Sequence, residues 1–268
     1  ELLPEIIGGA EETTTGIIRL NSMVKDNALK YPVIAVNDNK TKHLLDNYYG
    51  TGQSVWDGIL RGSSILIAGK NVVVIGYGSC GKGTAMRAKG LGASVLVTEV
   101  NHFRALQAKL DGFRVMPMAE ACKLGDIFVT VTGNKHVIKV DHMKNMKSGS
   151  ILANAGHFDL EIDYDGLESM AKSKKEVRPL LEEFTLEDDR RILVLGQARL
   201  VNLALAEGHP SEVMSTSFCG QAMACEYLAK NKGQMKNEVI TLPEEIDDKI
   251  AELQLEAVGV QIDTLDEE

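Results

Sequence analysis

No apolar run in this sequence of 268 residues approaches the roughly 18 needed to span a bilayer, which excludes a membrane-spanning helix. The opening ELLPEIIGG has neither the basic flank nor the apolar block of a signal peptide. It also lacks an initiator Met, as a processed chain or a fragment would. Concentrated basic charge is scarce: 29 Lys and Arg stand against 38 Asp and Glu, for a net charge of −9. A phosphate-backbone binder needs the opposite balance, so nucleic acid is excluded as a partner. The densest basic cluster, KSKKEVR (Lys172 to Arg178), reads as a solvated helix end or turn. The four cysteines (Cys80, Cys122, Cys219, Cys225) form no CxxC pair and no disulfide framework, as expected of reduced thiols in a cytoplasmic protein. Cys219 and Cys225 have no His or acid cluster beside them, and no metal is expected. Internal repeats and low-complexity segments are absent too.

What the sequence does contain is a βα rhythm. The length suits one large domain or two modest ones, and 44% hydrophobic residues suffice for a real core. Between about Asp57 and Ala206, β-branched runs at 71–76, 94–100, 126–133, 150–156 and 191–196 alternate with helical periods. The helical periods are Gly81 to Leu91, His102 to Leu110, Ala119 to Leu124 and Val140 to Met146. Near-continuous Val/Ile/Leu strands separated by helices predict an α/β, doubly wound parallel sheet of Rossmann type, covered on both faces. The segment KEVRPLLEEFTLEDDRRILVL breaks the rhythm and predicts a strand or two at the sheet edge. The flanks read as helical segments of a different, partly missing domain, with helices at Ile17–Ala28, Pro210–Lys232 and from Pro243 on. YPVIAV is a strand or extended connector. In the Pro210–Lys232 helix, Met214, Phe218, Gln221, Met223, Cys225 and Leu228 suit a buried face. The predicted division is 1–52, 53–207 and 208–268.

The loop Gly76-Tyr77-Gly78-Ser79-Cys80-Gly81 fits GxGxxG between a strand and a helix. Gly76 permits the tight turn, Gly78 the approach of a pyrophosphate, and Gly81 close helix–strand packing, while the helix N-terminus offers N–H groups to phosphate. Ser79 and Cys80 open that helix. Glu99, at the end of the next strand, stands where an acid accepts hydrogen bonds from the adenosine ribose, which favours NAD over NADP. Asn101 and His102 either reach the adenine side or cap the next helix. Ligands of open α/β sheets lie beyond the carboxyl ends of the strands, which marks Thr130, Thr132, Asn134, Asn154, Ala155, Gly156 and His157 as further candidates.

Six motifs then occur in one fixed order: EETTTG (Glu11 to Gly16), NDNKTKHLLDNYYGTGQS (Asn37 to Ser54), GYGSCGKG (Gly76 to Gly83), NAGHFD (Asn154 to Asp159), ARLVNL (Ala198 to Leu203) and GHPSEVMS (Gly208 to Ser215). Together, over nearly the whole chain, they resemble the S-adenosylhomocysteine hydrolase family, and YGTGQS resembles its archaeal and some bacterial members. The resemblance implies hydrolysis of S-adenosylhomocysteine to adenosine and homocysteine by transient oxidation of the ribose 3′-hydroxyl with bound NAD. It also implies a homo-oligomer, a tetramer in the family. Three departures stand out: only about ten residues precede EETTTG where the family has a long substrate-binding region. The chain ends before the family's C-terminal Lys and Tyr. Thr51 replaces a Cys of many members.

The resemblance makes Lys42 the base at the 3′-hydroxyl, with Asp46 on the ribose diol, Asn47 orienting, and Glu12 ordering the ribose end. Four residues apart, Lys42 and Asp46 share a face if this stretch is helical; without the resemblance they would read as an exposed ion pair. Thr13, Thr14 and Thr15 match residues beside the nicotinamide and its ribose, and Asn37 lies near cofactor or substrate. His157 is implied at the ribose hydroxyls, His209 with Phe158 at the purine and its gate, and Met214 on the substrate side. Arg199 and Asn202 are implied around the nicotinamide, where an Asn amide fixes the carboxamide. Three alternatives stay open: an S-inosylhomocysteine substrate, another NAD-dependent dehydrogenase, and an NAD-binding module without turnover.

Overall fold

The computed structural model describes residues 3–265. They fall into two compact units: Asn47–His209, and the segments flanking it in the sequence. In chain order the first flanking segment holds β1 (Gly9–Glu11), α1 (Thr14–Lys25), β2 (Val33–Ala35) and the single turn α2 (Lys40–His43). A π turn, Asp46–Gly50, leads to α3 (Thr51–Ser63). The larger unit continues with β3 (Asn71–Ile75), α4 (Ser79–Gly90), β4 (Ser94–Thr98), α5 (His102–Leu110) and β5 (Arg114–Val115). Next come α6 (Met118–Ala121), β6 (Ile127–Thr130), α7 (Val140–Met143), β7 (Ser150–Asn154) and α8 (Tyr164–Met170). It finishes with β8 (Ala171–Arg178), β9 (Leu181–Leu186), β10 (Arg191–Leu195) and α9 (Val201–Ala204). The second flanking segment carries α10 (Ser211–Lys230), β11 (Val239–Ile240) and α11 (Glu244–Ala257).

The eight strands of the larger unit lie in the order β5-β4-β3-β6-β7-β10-β9-β8. From β5 to β10 the pairings are parallel; β9 and β8 add on antiparallel. Alternation along each strand feeds two cores. Val72 and Val74 join Trp56, Ile59 and Val129 on one face, and Val73 and Ile75 join Phe128, Met143 and Leu152 on the other. Each such side chain, fully buried, contributes about 1.5–3 kcal/mol, which is why these strands read as unbroken apolar runs. Sequence order runs outward from β3 through β4 to β5 and then resumes at β6 on the other flank of β3. That reversal opens a crevice above the carboxyl ends of β3 and β6, where ligands of such sheets bind.

KSKKEVR is neither a helix end nor a turn. It forms most of β8, the outermost strand, paired with β9 and exposed from Lys172 on. Its lysines mimic a solvated helix end because an edge strand needs the same chemistry, charge that discourages further pairing. The flanking unit is not helical alone: β1, β2 and β11 form a parallel three-stranded sheet with β2 in the centre. The buried face of α10 also differs from expectation. Thr216, Ser217, Gly220, Ala224 and Leu228 face inward, whereas Phe218 and Cys225 are exposed. Small residues win because the helix lies close to the unit's core: a Cβ on Gly220 would come within 2.9 Å of Val36 Cγ1.

Candidate functional site

The glycine loop of the larger unit takes the geometry its spacing implies. Gly76 has φ +105°, open to glycine and strained for other residues. A Cβ on Gly81 would lie 2.1 Å from the Gly76 carbonyl oxygen, so only glycine lets α4 start this close to β3. At Gly78, the N-cap of α4, the nearest atom to an added Cβ is Arg104 Nη1 at 3.8 Å, which leaves the loop open for an approaching group. Ser79 and Cys80 form the first turn, with their backbone N–H groups at the positive end of the helix. Tyr77 is buried and donates its hydroxyl to Asp111 at 2.7 Å; burial first, then Asp111, pushes that phenol far above its ordinary range.

Glu99 closes the far side of the loop. Its Oε2 accepts from Tyr77 N at 2.7 Å, and its Oε1 from Val100 N at 2.7 Å and Asn101 N at 2.9 Å. A carboxylate offers about four lone-pair sites, so three N–H groups orient it and one site on Oε2 stays available for a hydroxyl. Asn101 caps α5 by accepting from Arg104 N at 3.0 Å, and His102 is exposed in the first turn.

Beyond β6 and β7 the two loops are held by buried polar groups. Asn154, fully buried, accepts from Thr130 Oγ1 and Gly156 N at 2.8 Å each. Its amide nitrogen donates to the carbonyls of Phe158 at 2.9 Å and Ala198 at 2.8 Å. It therefore shapes the Ala155–Gly156 turn from below rather than facing a ligand. Glu161, which the sequence motifs did not flag, is also fully buried. It accepts from Thr132 N at 3.0 Å, Thr132 Oγ1 at 2.9 Å and Gly133 N. Burial raises its carboxyl above the ordinary range, opposed by those donors. Asn134 is exposed and turns back on its own loop, its N–H on Thr132 Oγ1 at 3.0 Å. His157 is exposed, with its ring edge-on to Phe158 at 4.8 Å. Arg199 donates to the Gly196 carbonyl at 3.0 Å.

Asn202 carries the sharpest sign of a missing partner. It is 4% exposed, its Nδ2 donates to Ser54 Oγ at 3.2 Å, and its Oδ1 is buried with no protein donor. An acceptor left so is costly unless a ligand donor meets it, and a carboxamide N–H₂ is such a donor. Thr51 Oγ1 and His209 Nε2 lie 3.3 Å apart in the same unit, within hydrogen-bond reach of each other. Glycine cradle, oriented Glu99 and orphaned Asn202 oxygen together fit NAD.

The flanking unit brings a second group of candidates together. Lys42 Nζ lies 3.1 Å from Asp46 Oδ2 and 3.4 Å from Asn37 Oδ1. Asn37 Nδ2 donates to Thr14 Oγ1 at 3.0 Å, and Ser217 Oγ donates to Asp46 Oδ2 at 3.0 Å. Lys42 is 6% and Asp46 3% exposed, which contradicts the exposed ion-pair reading. One regular helix does not carry them: Lys42 lies in α2, which ends at His43, and Asp46 opens the π turn, with Asn47 next in the chain and half-buried. Thr13 caps α1, its N–H on Glu11 Oε1 at 3.0 Å, and Thr15 sits in the first turn. Glu12 has its Oε1 buried without a protein donor, an acceptor suited to a ligand hydroxyl. Met214 is half-buried on α10 beside Ser215, Phe218 and Cys219. Ser217 escaped the motif reading because a serine within a long helix carries no local signal.

The fold and the glycine site define a dinucleotide-binding protein. Residues 47–208 match the model of the S-adenosyl-L-homocysteine hydrolase NAD binding domain, and the chain belongs to that family. It is 57% identical to an adenosylhomocysteinase of Nostoc over 98% of this chain and 62% of the relative. It is 56% identical to that of Thermococcus kodakarensis over all of this chain and 64% of the relative. An S-inosyl-L-homocysteine hydrolase of Methanocaldococcus jannaschii is 59% identical over all of this chain and 64% of that protein. The chain thus spans under two thirds of these relatives. Among solved structures, dipicolinate synthase A chain from Bacillus subtilis superposes with a TM-score of 0.54 at 14% identity, covering 83% of this chain and 63% of that one. That likeness concerns the fold alone.

Proposed function

We propose that this chain carries the redox chemistry of a hydrolase acting on S-adenosylhomocysteine, releasing adenosine and homocysteine. Bound NAD supplies reversible hydride transfer at the ribose C3′. Lys42, as the neutral amine, would receive the proton of the 3′-hydroxyl as the hydride leaves; the resulting ketone would acidify C4′–H, so that the C4′ proton and the homocysteine thiolate are lost by elimination and combine as the free thiol. Addition of water and reversal of the oxidation would complete a hydrolysis with no net redox change. Asp46, with Asn47, binds and orients the ribose diol, while Asn37 and Ser217 fix the Lys42–Asp46 pair. In the flanking unit, Glu12 and Met214 serve the substrate and Thr13, Thr14 and Thr15 the cofactor; in the larger unit, His157, Phe158 and His209 serve the substrate and Asn202 the nicotinamide. The observation that carries this reading is the buried Lys42–Asp46 contact of 3.1 Å. Desolvating an ion pair is costly, and chemistry is a physical reason to keep one.

The test is to load the chain with NAD⁺, add adenosine and record reduced nicotinamide by absorbance. Wild type is expected to form it. Lys42→Met is expected to form none while holding NAD⁺ with unchanged affinity. Reduction by Lys42→Met at the wild-type rate would remove Lys42 from the reaction. The same assay with inosine tests the second reading, favoured by the S-inosyl-L-homocysteine hydrolase among the relatives. A cytoplasmic location and a homo-oligomer complete the proposal. For the latter, α5 and its approach expose Val100, Phe103, Leu106 and Leu110, an apolar row of the kind that marks an interface.

A further inference from the structure

We infer that Glu161 is a positioning residue for NAD: its buried carboxylate sets the height of the loop after β6 and thereby the fit of the dinucleotide against Gly76. The inference rests on the dinucleotide site described above and adds to it a residue outside all six motifs.

Three donors converge on one carboxylate from two consecutive residues, Thr132 through both N–H and hydroxyl, and Gly133 through N–H. Glu161 itself is anchored by its backbone, whose carbonyl accepts from Ile138 N at 3.1 Å. Room for the head group comes from Gly156, where an added Cβ would stand 1.6 Å from Glu161 Oε1. The loop after β7 is therefore cut to the shape of this side chain. On the other side, Thr132 Cγ2 would lie 3.0 Å from a Cβ on Gly76, and the Val131 carbonyl oxygen 3.2 Å. Glu161, Thr132 and Gly76 form one line of contact ending at the turn that faces the pyrophosphate. Because β3 and β6 flank the topological reversal, this line runs along one wall of the ligand crevice. Glu161 touches neither dinucleotide nor substrate in this account. It acts through Thr132.

The chemistry calls for a carboxylate. An amide of the same shape has one acceptor oxygen, and its NH₂ must face at least one of the three donors. Glu161→Gln therefore breaks the convergence with almost no change in volume. In the full chain, NAD⁺ affinity by calorimetry is expected to fall roughly tenfold or more in Glu161→Gln. Amide hydrogen exchange at Thr132 and Gly133 is expected to accelerate in the NAD-free variant. Thr132→Val, which keeps the shape and deletes one donor, is expected to weaken binding by a smaller factor and guards against a Gln variant that does not fold. Glu183→Gln, altering a buried carboxylate on β9 near the far edge of the sheet, is expected to leave NAD⁺ affinity unchanged. Wild-type affinity in both Glu161→Gln and Thr132→Val would overturn the inference. So would equal losses in all three variants, which would mean general loosening. A wild-type chain that binds no NAD⁺ would overturn the dinucleotide site itself, and the inference with it.

Discussion

Asn202 shows how a single atom separates stability from binding. Its Oδ1 is buried without a donor, and an unmet buried acceptor costs about 1–3 kcal/mol. Asn202→Leu removes that acceptor, and the NAD-free variant is expected to melt no lower than wild type. The same change deprives a carboxamide of its acceptor, so the rise in melting temperature on adding NAD⁺ is expected to shrink. Scanning calorimetry with and without NAD⁺ reads both, and a wild-type NAD⁺ response would show that Oδ1 meets no ligand. At this scale the sequence was legible where residue type and spacing are both constrained. Gly76 has the open φ of the tight turn, and Gly81 the close approach, that the loop pattern implies. Glu161 and Ser217 were illegible because their roles come from residues 29 and 171 positions away.

Among the elements, β8 carries the clearest liability. It is an eight-residue edge strand, exposed from Lys172 on. Lys175 pairs with Glu183 at 3.0 Å, and Lys172 pairs with Asp189. Both lysines are exposed although Glu183 is buried, so they matter chiefly by keeping the edge solvated. The double variant Lys172→Thr, Lys175→Val is expected to keep its circular dichroism spectrum but to self-associate, as seen by light scattering at rising concentration. Unchanged scattering would mean that bulges alone protect this edge; the register shifts twice, between Ala171 and Ser173 and between Glu176 and Arg178. The five central strands were readable because burial on both faces writes unbroken apolar runs. β1, β5 and β11, of two or three residues, were not, since so short a strand has no period to detect.

For the whole molecule, two compact units imply that unfolding need not be one event. A ligand held by Asn47–His209 stabilises that unit by mass action, about 2.7 kcal/mol at a hundredfold excess over Kd. Calorimetry is expected to show a component that climbs with NAD⁺ and another, from the flanking segments, that responds less. A single transition shifting as a whole would mean that the units unfold together. The central strand of the smaller sheet adds a consequence for synthesis. β2 pairs with β1 on one side, but its other neighbour, β11, comes about two hundred residues later. At about 5–20 residues per second, a ribosome takes roughly 10–40 s to deliver it. The middle of the chain is complete before then, while Val33 and Ile34 wait with one edge unpaired, open to a chaperone or to another nascent chain.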